Sequence, residues 1–235
     1  MTTPIADYAI VGDGRSAALI SRAGSLDWLC WPRFDSPSIF AAILDEERGG
    51  RFSVAPGVPF RSTRAYLGET NVLETRFLTA SGELALTDFM PVLSGIDSAR
   101  SMYPGHELVR VVRCKRGAVD VAIVFDPRPD YGRRKAAIRT MGKLGLRVDC
   151  GGDAILSLLT DAPLGAEVDP ALAVEPEVDG RRNRLARAPE GDDQRVPPAI
   201  ERGEVLRRAG PPAHIECAGV ANRVEEAVLR VVQPR

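Results

Sequence analysis

Three groups of residues in this sequence have types and spacings that could do chemistry. Gly12, Gly14 and Ala17 satisfy G-x-G-x-x-(G/A) after an apolar run, the spacing that cradles a dinucleotide pyrophosphate. That chemistry needs a helix opening at the third small residue, so that its N-terminal amides face the phosphate. Gly24 interrupts the following segment too early for such a helix. Instead, Ala17–Ser21 and Leu26–Trp31 flank Ala23 and Gly24 as two short apolar runs, which predicts an antiparallel hairpin. Gly12 and Gly14 then shape the turn that feeds it, and no cofactor is expected.

Carboxylates form the second group: Asp27, Asp35, Asp88, Asp126 and Asp130. Two of them flanking a glycosidic bond could act as general acid and base, about 6.5–9.5 Å apart in an inverting enzyme. Asp27 and Asp88, however, stand among large apolar residues in strand-like runs. Asp35, Asp126 and Asp130 lie near prolines, where aspartate commonly orders a turn. No catalytic residue is assigned.

The third group is "DWLCWPRFDSPS", residues 27–38. Trp28 or Trp31 could stack on a sugar ring, with Arg33 and Asp35 bonding its hydroxyls. Trp31, Arg33 and Asp35 are therefore the candidate substrate-binding residues. The structural alternative places one tryptophan in a core and pairs Arg33 with Asp35 or a neighbouring turn.

Other constellations are missing. Cys30, Cys114, Cys150 and Cys217 contain no C-x-x-C pair, and His106 and His214 lack metal-ligand spacing, so no metal site is predicted. Ser16, Ser36 and Ser38 have no histidine placed to complete a triad. A net charge of -1 argues against a nucleic-acid or anionic-membrane partner, and Arg133, Arg134 and Lys135 read as a solvated loop. No run reaches the ~20 apolar residues of a membrane span, and the N-terminus lacks a signal-peptide pattern. The expectation is a soluble cytoplasmic chain with reduced thiols.

The elements that must position these groups are mostly strands. "RFSVAP", "FRSTRAYL", "NVLETRFLTA" and "ELALTDFMPV" alternate or run short between turns. "ELVRVVRCKRGAVDVAIVFD" predicts a hairpin around Arg116 and Gly117, and three further runs follow in "AAIRTMGKLGLRVDCGGDAILSLLTD". One short helix is expected in "PSIFAAILDEERGG": Ser36 caps it, Ile39, Phe40, Ile43 and Leu44 share a face, and Gly49 and Gly50 end it. The fold class is therefore mainly β, an antiparallel two-sheet β-sandwich of supersandwich type with one short helix. Residues 1–165 form the sandwich. Residues 166–235 form an irregular Arg/Pro-rich, poorly ordered tail, whose "RVEEAVLRVVQ" could make a short amphipathic helix.

Three stretches, beginning "DYAIVGDGRSAALISRAGSLDWLCWPRFDSPSIF", "YLGETNVLETRFLTASGELALTDFMPV" and "HELVRVVRCKRGAVDVAIVFDPRPDYGR", resemble the N-terminal domain of bacterial glycoside hydrolase family 15 proteins. These are glucoamylase-like and trehalase-like enzymes. The likeness runs from Ile5 to Asp161, with the pattern GSxDWLCxPRFDSPS at Gly24–Ser38. It implies a β-sandwich preceding an (α/α)6 helical barrel that carries the catalytic glutamates. The implied partners are that barrel and, through the parent enzyme, an α-glucoside. It also implies that the "PRFDSPS" loop packs on the barrel beside its cleft. Too few residues follow for a barrel, so the chain is expected to be inactive alone, its tail a truncated or frameshifted remnant. The alternative is a stand-alone carbohydrate-binding or protein-interaction sandwich.

Overall fold

The computed structural model describes residues 3–92, 106–151, 154–160, 213–216 and 226–233. The expected poor order of the tail falls largely outside these residues.

Glycine corners and alternating apolar residues build the first sheet. Strand β1 (Tyr8–Gly12) pairs with β2 (Ala17–Ser21), and β2 turns through Gly24 into β3 (Ser25–Cys30). Gly24 has a φ of +76°, the left-handed conformation a tight turn demands and a β-carbon resists. The short β4 (Ser38–Phe40) and then β5 (Arg51–Pro56) both pair with β3. The second sheet starts with the meander β6 (Arg61–Tyr66), β7 (Leu73–Leu78) and β8 (Gly82–Phe89).

One strand joins the two sheets. β9 (His106–Asp126) runs for 21 residues without turning back. The hairpin predicted at Arg116 and Gly117 is therefore not formed. Gly117, at φ +72°, lies against Gly82 so closely that a β-carbon would strike the Ser81 carbonyl. The glycine serves a bend rather than a reversal. Before the bend β9 pairs with β8, and beyond it with β5. The second sheet continues through β10 (Ala137–Thr140), β11 (Leu146–Asp149) and β12 (Ile155–Thr160). β13 (Ala213–Glu216) pairs with the far half of β9.

β14 (Glu226–Gln233) fills the gap between β9 and β12. Of the stretch "RVEEAVLRVVQ", for which a helix is predicted, the described residues Glu226–Gln233 form a strand. Ala227, Leu229 and Val231 are buried in alternation, and that period of two suits a sheet position with partners on both sides.

The helix predicted over "PSIFAAILDEERGG" is also absent, and no α-helix occurs among the described residues. Ile39, Phe40, Ala41 and Ala42 are all buried, a continuous run rather than a helical stripe, while Leu44 is 66% exposed. The backbone bonds of this segment go sideways: Ala41 N–H to Gly49 O, Ala42 N–H to Gly50 O, and Ile43 N–H to Asp27 O. Two 3-10 turns, Ile5–Asp7 and Gly142–Leu144, are the helical pieces described.

The sheets face each other over one core that includes Leu26, Phe40, Phe52, Phe77, Leu86 and Leu108. Contact between layers is direct: a β-carbon on Gly24 would lie 2.9 Å from the Phe77 ring.

Candidate functional site

The "DWLCWPRFDSPS" segment leaves the end of β3 and makes a tight loop. Trp31 comes first and turns inward. It is 3% exposed, and its ring lies 6.0 Å from that of His106. Its Nε1 is buried without a hydrogen-bond partner. The Trp31–Pro32 peptide is cis. Arg33 and Asp35 point the other way, with side chains 72% and 70% exposed and paired at 2.9 Å. Ser36 N–H donates to Arg33 O, and Arg33 N–H donates to the Ser36 hydroxyl, closing the turn that holds them. The structure therefore separates the candidate trio: the indole is packed inside while the ion pair stands in solvent.

Trp28 sits at the surface instead, half-buried in β3. Its ring is 6.1 Å from Tyr131, which is 41% exposed and carries the Arg133 guanidinium 5.9 Å over its face. Asp130 and Tyr131 both adopt positive φ, 55° and 58°. Two bonds from β4 hold them there: Asp130 N–H to Ser38 O and Tyr131 N–H to the Ser38 hydroxyl, each 2.9 Å. Such backbone strain persists only where neighbours over-determine it. Tyr131 was not singled out from sequence. The only signal is local, the Asp130-Tyr131-Gly132 turn, and nothing in it announces Trp28 as a partner.

Each of the five aspartates is held by its own neighbours. Asp27 is buried and accepts bonds from the Tyr8 hydroxyl (2.8 Å) and the Ser25 hydroxyl (2.5 Å). Burial, and then the bond and charge of Asp27, push the Tyr8 phenol up to about 12. Asp88 is buried against Arg110. Asp126 binds Arg128 at 2.7 Å, Asp35 binds Arg33, and Asp130 faces Arg133 and Arg134 at 3.9 and 3.8 Å. A general acid needs a carboxyl aimed at a substrate-sized cleft. These carboxylates are aimed at phenol, hydroxyl and guanidinium groups of the chain itself.

The glycine fingerprint makes a turn. Asp13 Oδ1 accepts the Arg15 and Ser16 amides, each at 2.8 Å, and Ala17 opens β2 rather than a helix. Nothing there supplies the helix terminus that a pyrophosphate requires. Among the described residues no group of three or more His, Cys, Asp or Glu could hold a metal, and no helix is long and apolar enough to cross a membrane. Cys30 and Cys150 are free and buried, and burial raises both thiols, Cys150 to about 12. Cys114 is disulfide-bonded, unlike the reduced thiols expected from sequence.

Comparison with known proteins places this geometry. A family model described as trehalase-like, N-terminal, matches residues 1–162. The trehalase of Mycobacterium tuberculosis (strain ATCC 25618 / H37Rv) is 36% identical over 208 residues, which cover 81% of this chain and 29% of that protein. The trehalase of Mycolicibacterium smegmatis is 41% identical over 145 residues, 57% of this chain and 21% of its own length. That of Thermoplasma volcanium is 35% identical over 138 residues, 56% and 21%. The chain thus spans less than a third of the curated relatives it matches. No solved structure matches it significantly.

Proposed function

The chain belongs to the trehalase-like N-terminal domain family, and from that premise we propose that it is the non-catalytic β-sandwich of a family 15 glycoside hydrolase of trehalase type. Its role in this reading is to support a helical catalytic barrel and shape the barrel's cleft. The parent enzyme would hydrolyse an α-glucoside, and the relatives' name of trehalase favours trehalose over a maltooligosaccharide. The acid and base would come from the barrel. Residues 1–165 form the unit, with β14 returning from the tail to complete its second sheet.

One observation carries this reading: the two buried carboxylates, Asp27 and Asp88, bind groups of the sandwich itself. The test is hydrolysis by the purified chain. No release of glucose from trehalose or maltose is expected, and turnover that vanishes on Asp35→Asn would overturn the assignment. A chimera tests the positive half. Residues 1–162 replace the matching segment of the Mycolicibacterium smegmatis trehalase, and retained activity is the expected result.

A second reading, a stand-alone carbohydrate-binding module, draws on the pair of half-buried Trp28 and exposed Tyr131 beside Arg133. Calorimetric titration with trehalose and maltooligosaccharides separates the two, since flat heats count against it. Self-association in the absence of sugar binding would instead favour a protein-interaction sandwich.

A further inference from the structure

The two sheets present different outer faces. On the second sheet, charges pair across and along the strands: Arg76 reaches Glu74 at 2.7 Å and Glu83 at 3.8 Å, and Arg230 reaches Glu107 at 3.7 Å. Such a face suits water. The first sheet carries an apolar row instead. Ile10 in β1 stands opposite Leu19 in β2, and Leu19 stands opposite Trp28 in β3. Val11, Ala18 and Ile20 are buried in the core, so alternation turns Ile10 and Leu19 to the outside. A bulge adds Trp28. Leu19 faces Trp28 but Ile20 faces Leu26, so β3 holds one residue more than β2 there. Leu26 and Leu29 both stay in the core, and the extra residue lets Asp27 and Trp28 both turn outward. Asp27 is buried beside the row, held by the Tyr8 and Ser25 hydroxyls.

Tyrosines extend the row at both ends: Tyr131 beside Trp28, and Tyr66, whose hydroxyl bonds the backbone of Ile10. Ile10, Tyr66 and Tyr131 are 55%, 44% and 41% exposed. An apolar patch rimmed by polar groups marks an interaction surface. Charge selects the partner. At the Tyr131 end, Asp130 faces both Arg133 and Arg134. At the Tyr66 end, the Asp7 carboxylate binds Arg22, while Arg64, near enough to feel the Arg22 charge, bonds the Asp7 and Ile20 carbonyls. Among these groups each end holds two guanidiniums to one carboxylate. A second copy of the chain, laid face to face with the rows aligned, would set the Arg133 end on its twin or on the Arg64 end. Cations would meet cations either way. The matching surface is apolar with carboxylates at its margins.

We propose that this row is where the sandwich meets the helical catalytic region of its parent enzyme, through an apolar helix face flanked by acidic residues. Such a partner exists only if the chain is the sandwich of a larger hydrolase, as its proposed function holds. The curated relatives, of which this chain spans less than a third, have the length to supply it. The contact is additional to the "PRFDSPS" loop, and the outer face of the second sheet stays in solvent.

Carbene footprinting read by mass spectrometry compares the full chain alone with the full chain set in place of the matching segment of the Mycolicibacterium smegmatis trehalase. Labelling of Ile10, Tyr66 and Tyr131 should fall severalfold in the chimera, while that of Leu78, 49% exposed on the second sheet, should not change. An active chimera whose row is labelled as in the free chain would overturn the contact and leave the proposed function standing. An inactive chimera with unchanged labelling would end both. Protection of the row that grows with the concentration of the free chain would assign the face to a second copy and overturn the contact. Substitution gives a separate check. Ile10→Glu, at an exposed position, should leave the thermal midpoint of the free chain unchanged and lower that of the chimera, whereas Leu78→Glu should shift neither. Equal shifts from the two substitutions in the chimera would also sink the contact.

Discussion

Asp88 and Arg110 face each other across the β8–β9 pair, both side chains fully buried, with Nε 2.8 Å from Oδ1. The guanidinium reaches further, to the Gly24 carbonyl at 2.8 Å and the Phe52 carbonyl in the opposite sheet, and its centre lies 4.9 Å above the Phe52 ring. One side chain of the second sheet thus ties the β2–β3 turn and strand β5 of the first through the middle of the core. Burial raises the Asp88 carboxyl, while the charge and bonds of Arg110 oppose that rise.

Breaking either half of this pair should be severe, because it leaves a buried charge uncompensated. Asp88→Asn or Arg110→Met should each cost about 3–5 kcal/mol in urea unfolding. The double replacement Asp88→Leu/Arg110→Met should cost clearly less than the two single losses added, since no lone charge remains. Simple additivity would show that the pair is not coupled as its geometry implies.

Gly24 is the other end of that tie. At φ +76°, an alanine there would strike the Val54 carbonyl and press on Phe77 and Leu86. Gly24→Ala should cost about 2–5 kcal/mol, backbone strain plus overpacking. Gly14 is the control, because its φ is +82° but its added carbon meets nothing within 4 Å. Gly14→Ala should cost only the conformational part, about 1–2 kcal/mol. Thermal unfolding of the two variants checks the difference.

The Tyr8–Asp27 contact predicts an alkaline weakness. Burial first, then the bond and charge of Asp27, raise the Tyr8 phenol from 10.0 to about 12. The folded state therefore holds this proton more tightly than the unfolded chain. The stabilisation is complete below pH 10 and is lost as pH climbs through about 12. Cys150, raised to about 12 by burial and by Asp149, adds a loss of the same sign. In Tyr8→Phe the late tyrosinate absorbance phase should disappear and the alkaline loss of stability should shrink, leaving the thiol's share. An unchanged late phase would assign it to another tyrosine.

Local pattern carried most of the strands because glycine corners and period-two burial are local properties. The hairpin at Gly24 and the β7–β8 turn form where those signals stand. The failures share one cause. Gly117, Ile39–Ala42 and Val228–Val232 have ambiguous local signals, and distant partners decide between the readings. Gly117 bends because Gly82 lies against it, and "EAVLRVVQ" extends because β9 and β12 leave a slot of its width. The Asp88–Arg110 pair was half visible: each residue interrupts an apolar stripe, Leu84-x-Leu86-x-Asp88 and Leu108-x-Arg110-x-Val112. Their mutual register was not. For the candidate site, spacing put Trp31, Arg33 and Asp35 in one loop but could not show that Trp31 turns inward against His106 while Arg33 and Asp35 stand in solvent.

Among the described residues β1 is an edge strand, and side chains from the β6 side cover its outer backbone groups. The Tyr66 hydroxyl accepts Ile10 N–H at 3.0 Å and donates to Ile10 O at 2.8 Å. Asn71 Nδ2 donates to Gly12 O at 2.7 Å, and Arg64 Nη1 to Asp7 O at 2.7 Å. A single phenol here does what a neighbouring strand would do, pairing both the donor and the acceptor of one residue. Uncovered edges template strand addition by other chains, and Ile10 itself is an exposed apolar side chain on this strand. Tyr66→Phe combined with Asn71→Ala should leave the core and its cooperative unfolding nearly intact, because these groups lie at the surface. The same double variant should associate at concentrations where the parent does not, seen as a concentration-dependent rise in mass by light scattering. Adding Ile10→Lys to it should reverse the association by placing a charge on the bared edge. Equal masses for parent and double variant would mean that the phenol does not guard this strand.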